Sequence, residues 1–389
     1  MKILFLAPQP FFEVRGTPLA VLHMVRTLAA LGHQVDLLTF AQGEPAPLSG
    51  VRHLRSLRLP VGRVKAGPSL AKMLLDLPFL AEAAWRMATG GYDVVHAVEE
   101  AAHLAAPFTR LLGVPLVADV DSSIPDQLRY SGFARRGPLL WLAKALETHA
   151  LRRSAAVVTV CASLTDAVRA RAPQARVFQV EDPPLVDGHA APPPEAVAAL
   201  RGELGLPALP VVLYSGNFEP YQGVDLLVDA APRVPEARFL FMGGEPAEID
   251  ALKARTASQG TATRCIFSGK RSPSELPVFL ALTDVLVSPR RQGQNTPFKV
   301  FTYLASGKPL VATRIPTHTQ LLDDSLAFLV EPTPDGLAGG IRQALADPTE
   351  ARARAARGRA LMDREYSPAR YAEKVARAYD AIAALVHGR

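Results

Sequence analysis

Cysteine is nearly absent from the 389-residue sequence: Cys161 and Cys265 stand far apart without a C-x-x-C pair. That excludes a disulfide framework and a cysteine zinc site, and it fits a reducing, cytoplasmic setting. Long apolar runs are missing too, since no stretch approaches the ~18 residues of a membrane span. The opening MKILFLAPQP is interrupted by Pro8, Pro10, Glu13 and Arg15 before a secretory apolar region forms, and it reads as a buried strand. No ~20–50-residue repeat is present, hence no solenoid. G-x-G-x-x-G is absent, and with it the dinucleotide fingerprint. Acid is missing from one interval: residues 45–75 hold Arg52, Arg55, Arg58, Arg63, Lys65 and Lys72 and no Asp or Glu. Residues 1–185 contain 20 Lys/Arg against 15 Asp/Glu, so most of the net charge of +6 lies in the first half.

What is present is material for packed cores. Hydrophobic residues make up 49% and charged residues 21%, and the length argues for two domains. Short apolar runs at 2–7, 34–40, 51–57, 93–98, 115–120, 154–160 and 175–180 alternate with helical patterns near 17–31, 69–88, 99–112 and 138–153. Continuously apolar strands alternating with helices predict an α/β, doubly wound parallel sheet of Rossmann-like type. A proline-rich stretch over 183–210 then breaks the rhythm and reads as a linker. Strands over 211–216, 238–243, 264–269, 284–289, 309–313 and 326–330 predict a second such domain, closed by helices near 333–347, 349–364 and 368–387. The expected division is 1–182, linker 183–210, 211–366 and a terminal helix over 367–389. Ligands of open α/β sheets bind beyond the carboxyl ends of the strands, so an interdomain site is expected.

Loops at those ends carry the candidate chemistry. Gly16-Thr17 stand where the first helix begins, with Thr17 as a natural N-cap and the exposed amides as an anion site. Gly216 ends a strand and Gly223 precedes the next helix, where glycine lets a ligand approach the backbone. The loop after residue 289 offers Arg290, Arg291, Gln292, Gln294 and Asn295, and Thr296-Pro297 then opens a helix with Lys299 in its first turn. Lysine there opposes the helix dipole by about 0.3–1 kcal/mol and asks for an anionic partner, which a diphosphate supplies. In the first domain His96, Glu99, Glu100, Asp119 and Asp121 converge on one sheet edge. They lack a recognisable metal-ligand spacing, so no metal is expected. Aromatics do not interleave with the cations of 45–75, which speaks against nucleic acid, whereas an anionic membrane surface would attract them at ~1 kcal/mol each. No amphipathic helix with exposed aromatics is evident beside them.

The segments RGTPLAVLHMVRTLAALGHQVDLLT, DVVHAVEEA, YSGNFEPYQGVDLLVDA, SGKRSPSELPVFLALTDVLVSP and PFKVFTYLASGKPLVAT, in this order, resemble family 4 glycosyltransferases of the GT-B fold. The resemblance spans nearly the whole chain. It implies a last helix that crosses back onto the first domain and a nucleotide sugar bound mainly by the second. The base is then expected beside Ser268-Gly269-Lys270-Arg271. The family's diphosphate-binding arginine and lysine fall here on Asn217 and Gln222, the second of its paired glutamates on Thr302, and the second histidine of its H-x-H on Val98. Lys299, with Arg290 or Arg291, is therefore the expected substitute.

The resemblance thus implies a retaining, metal-independent glycosyltransferase with a nucleoside-diphosphate sugar as donor and no further cofactor. Lys299, Glu99 and Asp121 are the expected catalytic residues. Gly16, Thr17, Gly216, Asn217, Gln222, Lys270, Arg290, Arg291, Asn295, Thr296 and Thr302 are expected around the donor, and His96 and Arg15 on the acceptor side. The acceptor is expected to be a glycan or a lipid-linked molecule, with peripheral contact to an anionic membrane. A GT-B nucleotide-sugar epimerase and a non-catalytic nucleotide-sugar-binding protein are the alternatives.

Overall fold

The computed structural model describes residues 1–13, 16–46, 48–61, 70–130, 137–186 and 191–387. Their contacts divide into two units, 1–182 with 371–389 and 183–370. Arg15, Arg63 and Lys65 lie outside the described residues.

In the first unit the strands β1 (Lys2–Ala7), β2 (Gln34–Thr39), β3 (Val51–Arg55), β4 (Val94–Val98), β5 (Leu116–Val120), β6 (Ala156–Thr159) and β7 (Val177–Gln179) form one sheet ordered β3-β2-β1-β4-β5-β6-β7. Every pairing is parallel, for example Ile3 with Val35 and Val94. The helices are α1 (Gly16–Ala30), α2 (Leu70–Thr89), α3 (Glu100–Leu112), α4 (Ile124–Tyr130), α5 (Pro138–Arg153) and α6 (Ala162–Arg171). Strands this apolar are buried on both faces. Leu4, Leu6, Val95 and Ala118 point into a core closed by Leu75, Phe79 and Ala83 of α2, by Ala101 and Ala105 of α3 and by Ala150 and Leu151 of α5. Ile3, Phe5, Val94 and Val117 pack on the opposite side against Val21 and Val25 of α1.

In the second unit β8 (Val211–Gly216), β9 (Arg238–Gly243), β10 (Cys265–Gly269), β11 (Val285–Ser288), β12 (Leu310–Thr313) and β13 (Phe328–Val330) are ordered β10-β9-β8-β11-β12-β13, again all parallel. Its helices are α7 (Pro194–Glu203), α8 (Val224–Ala230), α9 (Pro246–Ser258), α10 (Leu276–Leu282), α11 (Phe298–Ala305), α12 (Pro316–Thr319), α13 (Pro334–Ala346) and α14 (Pro348–Glu365). The proline-rich stretch read as a linker thus contains a helix, α7, started by Pro194 at its first position and packed through Leu200 into the core of this unit. The last helix, α15 (Pro368–His387), buries Tyr371, Val375, Tyr379 and Ile382 in the core of the first unit. Both cysteines are buried and neither forms a disulfide.

In both sheets the strand order reverses beside the first strand, between β1 and β4 and between β8 and β11. A crevice opens at such a switch point because the flanking connections leave in opposite directions. The loops singled out in the sequence are the ones that follow β1, β4, β8 and β11.

Candidate active site

At the switch point of the second unit, Lys299 rises from the first turn of α11. Its Nζ lies 3.8 Å from the ring centroid of Tyr214 and donates to Gln222 Oε1 at 3.4 Å. A Cβ on Gly216 would stand 2.7 Å from Nζ, so the ammonium rests against the strand's last backbone turn. Gly216 has φ +135° and Gly223 φ +69°; a Cβ on Gly223 would strike the Pro289 carbonyl oxygen at 2.1 Å, which holds the loop after β8 hard against the end of β11. Burial, followed by the positive field of Arg290, pushes the pKa of Lys299 well below the usual lysine range. No carboxylate pairs with Lys299 among the described residues.

Arg290 is buried beside it. Its guanidinium donates to the Asn295 carbonyl oxygen at 3.0 Å and to Asn295 Oδ1 at 3.2 Å, and lies over the ring of Tyr221. Thr296 is buried in the same turn. Beneath the loop, His318 bridges Ser288 Oγ at 2.8 Å and the Thr313 carbonyl oxygen at 2.7 Å, while Thr313 Oγ1 donates to the Arg290 carbonyl oxygen. Burial lowers the His318 pKa to about 3, so this support stays neutral and adds no charge beneath the two cations.

The remaining cations of this edge are taken by carboxylates. Arg291 pairs with Asp225 at 2.6 Å, Lys270 with Glu245 at 2.6 Å, and Arg271 with Glu203 at 2.6 Å and Glu275 at 3.3 Å. The structure therefore separates Arg290 from Arg291. Asn217 is exposed, and its carbonyl accepts the Tyr214 hydroxyl at 2.6 Å. Thr302 is buried, and its Oγ1 accepts the backbone N–H of Leu185 at 3.0 Å. Where the resemblance places a ribose-gripping carboxylate, this chain has a hydroxyl that ties α11 to the segment before α7.

At the switch point of the first unit, Glu99 joins β4 to α3 with φ 50° and ψ −122°, the one non-glycine residue with positive φ among those described. Such a conformation costs of order 1–3 kcal/mol and persists only where its surroundings enforce it. Here the Glu99 N–H donates to the Asp119 carbonyl oxygen at 2.8 Å, and its Oε1 accepts from Ser122 Oγ at 2.5 Å and from Gln127 Nε2 at 3.1 Å. Burial, then Glu100, raises its pKa. Asp121 is buried behind it and raised well above the carboxylate range, by burial and then by Asp119; the neighbouring Asp182 is pushed up to about 8 by the same two causes. Glu100 turns away and pairs with Lys72 of α2.

His96, expected on the acceptor side, belongs to the core. It has no exposed surface, stacks on Phe5 at 4.3 Å, and has both ring nitrogens occupied, by the Tyr379 hydroxyl at 2.7 Å and by Asp119 Oδ2 at 2.9 Å. It ties α15 to β4 and β5. Gly16 is exposed with no atom within 4 Å of a Cβ, and α1 begins at Gly16, which puts Thr17 inside the first turn instead of at the cap. Tyr214, Tyr221, Gln127, Ser122 and His318 were not singled out in the sequence. An isolated tyrosine or histidine carries no spacing signal, and only the fold brings Tyr214 to Lys299. Among the described residues no group of three or more His, Cys, Asp or Glu is arranged to hold a metal ion.

Two parallel-sheet Rossmann-like units with polar loops at their switch points are the GT-B fold. The chain matches sucrose-phosphate synthase from Thermosynechococcus elongatus with a TM-score of 0.80 over 99% of both chains at 20% identity. The model for glycosyl transferases group 1 matches residues 209–347, and that for the glycosyl transferase 4-like domain matches residues 15–183. The chain belongs to this glycosyltransferase family. It is 26% identical over 319 residues to sulfoquinovosyl transferase SQD2 of Arabidopsis thaliana, a match covering 80% of this chain and 59% of that protein. It is also 32% identical over 190 residues to the GDP-mannose-dependent alpha-(1-6)-phosphatidylinositol monomannoside mannosyltransferase of Mycolicibacterium smegmatis, covering 46% of this chain and 50% of that one. The matched region thus spans between half and three-fifths of these relatives.

Proposed function

We propose that the protein transfers a sugar from a nucleoside diphosphate to an acceptor hydroxyl, with retention and without a metal ion. The observation that carries this reading is the desolvated ammonium of Lys299 at the second unit's switch point, beside the buried Arg290, touching Tyr214 and Gln222 and paired with no carboxylate among the described residues. Two like charges together in a low-dielectric pocket are unfavourable until an anion joins them, and a diphosphate carries the charge required. In the reaction the bond between the sugar's anomeric carbon and the phosphate oxygen breaks, and the acceptor oxygen bonds to that carbon. Negative charge then grows on the departing phosphate, where Lys299 and Arg290 stabilise it. With retention, entering and leaving oxygens share one face, so the acceptor's proton passes to the departing phosphate.

Gly216 and Gly223 would let the donor approach the backbone, and Asn217, Gln222, Asn295 and Thr296 would line it. Glu99 and Asp121 would meet the transferred sugar and acceptor through hydroxyl contacts, and the Gly16-Thr17 amides at the start of α1 remain open to an anionic or hydroxyl group. The mannosyltransferase relative acts, by its name, on a phosphatidylinositol monomannoside. With the basic excess of the first half, this favours a lipid-linked or cell-envelope acceptor at an anionic membrane. The test is donor hydrolysis and transfer, measured with a panel of UDP-, GDP- and ADP-sugars on the parent and on Lys299→Ala. Turnover by the parent with at least one donor, reduced by roughly 10–100-fold in the variant, is expected from losing a charge-assisted hydrogen bond. Equal rates in the two proteins would remove Lys299 from the reaction.

A further inference from the structure

We infer that the outer face of the helical layer α2–α3–α5 inserts into the surface of a phospholipid bilayer. The observation is a concentration of exposed apolar side chains. Among the described residues twelve large hydrophobic side chains are exposed, and ten lie on these three helices; the second unit has none. On α2 the exposed apolar positions are Met73, Leu74, Leu77, Ala81, Trp85 and Ala88. At roughly 100° per residue they fall within an arc of about 120°, a stripe without a single charge. A surface helix ordinarily turns its polar side to water, yet here Lys72 and Asp76 point inward toward Glu100 while the outward stripe is apolar. Leu111 and Leu112 extend this surface on α3, and Leu139, Trp141, Leu142 and Leu146 on α5.

The two tryptophans of the chain, Trp85 and Trp141, are 54% and 71% exposed and both belong to this layer. Tryptophan favours the headgroup boundary, where its ring is buried and its N–H stays wet. Charge says which apolar partner fits. Lys144, Arg152 and Arg153 are exposed on α5 and Arg110 on α3, whereas no carboxylate of the three helices is in the exposed class. Glu82 pairs with Arg86, Glu100 with Lys72 and Glu147 with Arg171. Cations around an apolar patch match anionic lipid. A second copy docking the same face would set these cations against their own kind. This locates the membrane contact on helices, overlapping the basic interval 45–75 only at the start of α2, and supplies the exposed aromatics that the sequence did not reveal. The inference deepens the lipid-linked acceptor reading, but its test uses no sugar donor.

Because both tryptophans sit in this layer, their fluorescence reports on it alone. The protein is mixed, without nucleotide, with phosphatidylcholine vesicles with or without phosphatidylglycerol, some carrying brominated acyl chains. Expected are a blue shift, quenching by the brominated chains, and binding that strengthens with phosphatidylglycerol and persists in part at high salt. A Leu77→Gln/Leu142→Gln variant, which keeps both tryptophans, should bind at least about tenfold more weakly with an unchanged melting temperature. No spectral change with vesicles would overturn the inference. So would binding abolished by salt and indifferent to this variant, or a blue shift that follows protein concentration in the absence of lipid. Nucleoside diphosphate affinity of the same variant separates this outcome from failure of the transferase reading.

Discussion

Lys299 is the residue on which structure and chemistry pull hardest against each other. Its charge is desolvated and faces another cation, so the empty protein is held back by it. Lys299→Met keeps the stem over Tyr214 and removes the charge. It should melt no lower than the parent without ligand while losing donor affinity by roughly 10–100-fold, as a charge-assisted contact to phosphate is worth about 1.5–3 kcal/mol. The pH dependence has a definite sign. A lysine whose folded pKa is lowered binds fewer protons folded than unfolded, so its contribution to stability improves as pH rises from the lowered value toward the ordinary lysine range. Melting temperatures of parent and Lys299→Met across that range should converge as pH rises. Gly16 gives a second residue-scale test, for a side chain there meets nothing within the fold. Gly16→Val should cut turnover with a melting shift under about 2 °C; a large melting shift with full turnover would make the glycine structural. The place of Lys299 in a first helical turn was legible from Thr296-Pro297 before it, and a lysine there violates a local electrostatic preference. His96 was misread because the same His-x-Val-Glu pattern serves a buried tie as well as an exposed ligand.

At the scale of elements, the strands were legible because parallel strands covered on both faces are apolar throughout, and no helix imitates a five-residue Val/Leu run bounded by turn residues. Short helices were less so. The helices α4 and α6 follow their strands closely, and α7 hides behind prolines that read as a break although Pro194 starts the helix. The most informative element is α15, whose attachment no sequence periodicity specifies. Tyr379 donates to or accepts from His96 Nδ1 at 2.7 Å deep in the first unit's core, and its ring lies over His96 and near His33. Tyr379→Phe keeps the ring and strands the imidazole nitrogen, which should cost about 1–3 kcal/mol. Denaturant unfolding checks this, and an unchanged midpoint would show that the hydroxyl carries no weight.

For the whole molecule, the carboxylates gathered beneath the first unit's switch point set a pH response of their own. Asp182 is raised to about 8 and Asp121 is raised as well, so the folded chain holds protons that the unfolded chain releases above the ordinary carboxylate range. Their contribution to stability is therefore full at low pH and is lost as pH climbs from about 4 through 8. Asp182→Asn should flatten that part of the stability profile, and a profile unchanged by it would remove Asp182 as the source. Chelation tests the reaction from another side. In the proposed reaction Lys299 and Arg290 neutralise phosphate in the role a divalent ion would have, so turnover should survive EDTA, and loss restored by magnesium or manganese would refute the metal-independent reading. The central claim is that Lys299, with Arg290, receives a nucleoside diphosphate. Calorimetric titration of UDP, GDP and ADP, repeated in buffers of different ionisation enthalpy, addresses it most directly because the anion should restore the suppressed lysine charge. Binding of at least one nucleotide with proton uptake that disappears in Lys299→Met is the predicted result; equal affinity and equal proton uptake in both proteins would contradict the account.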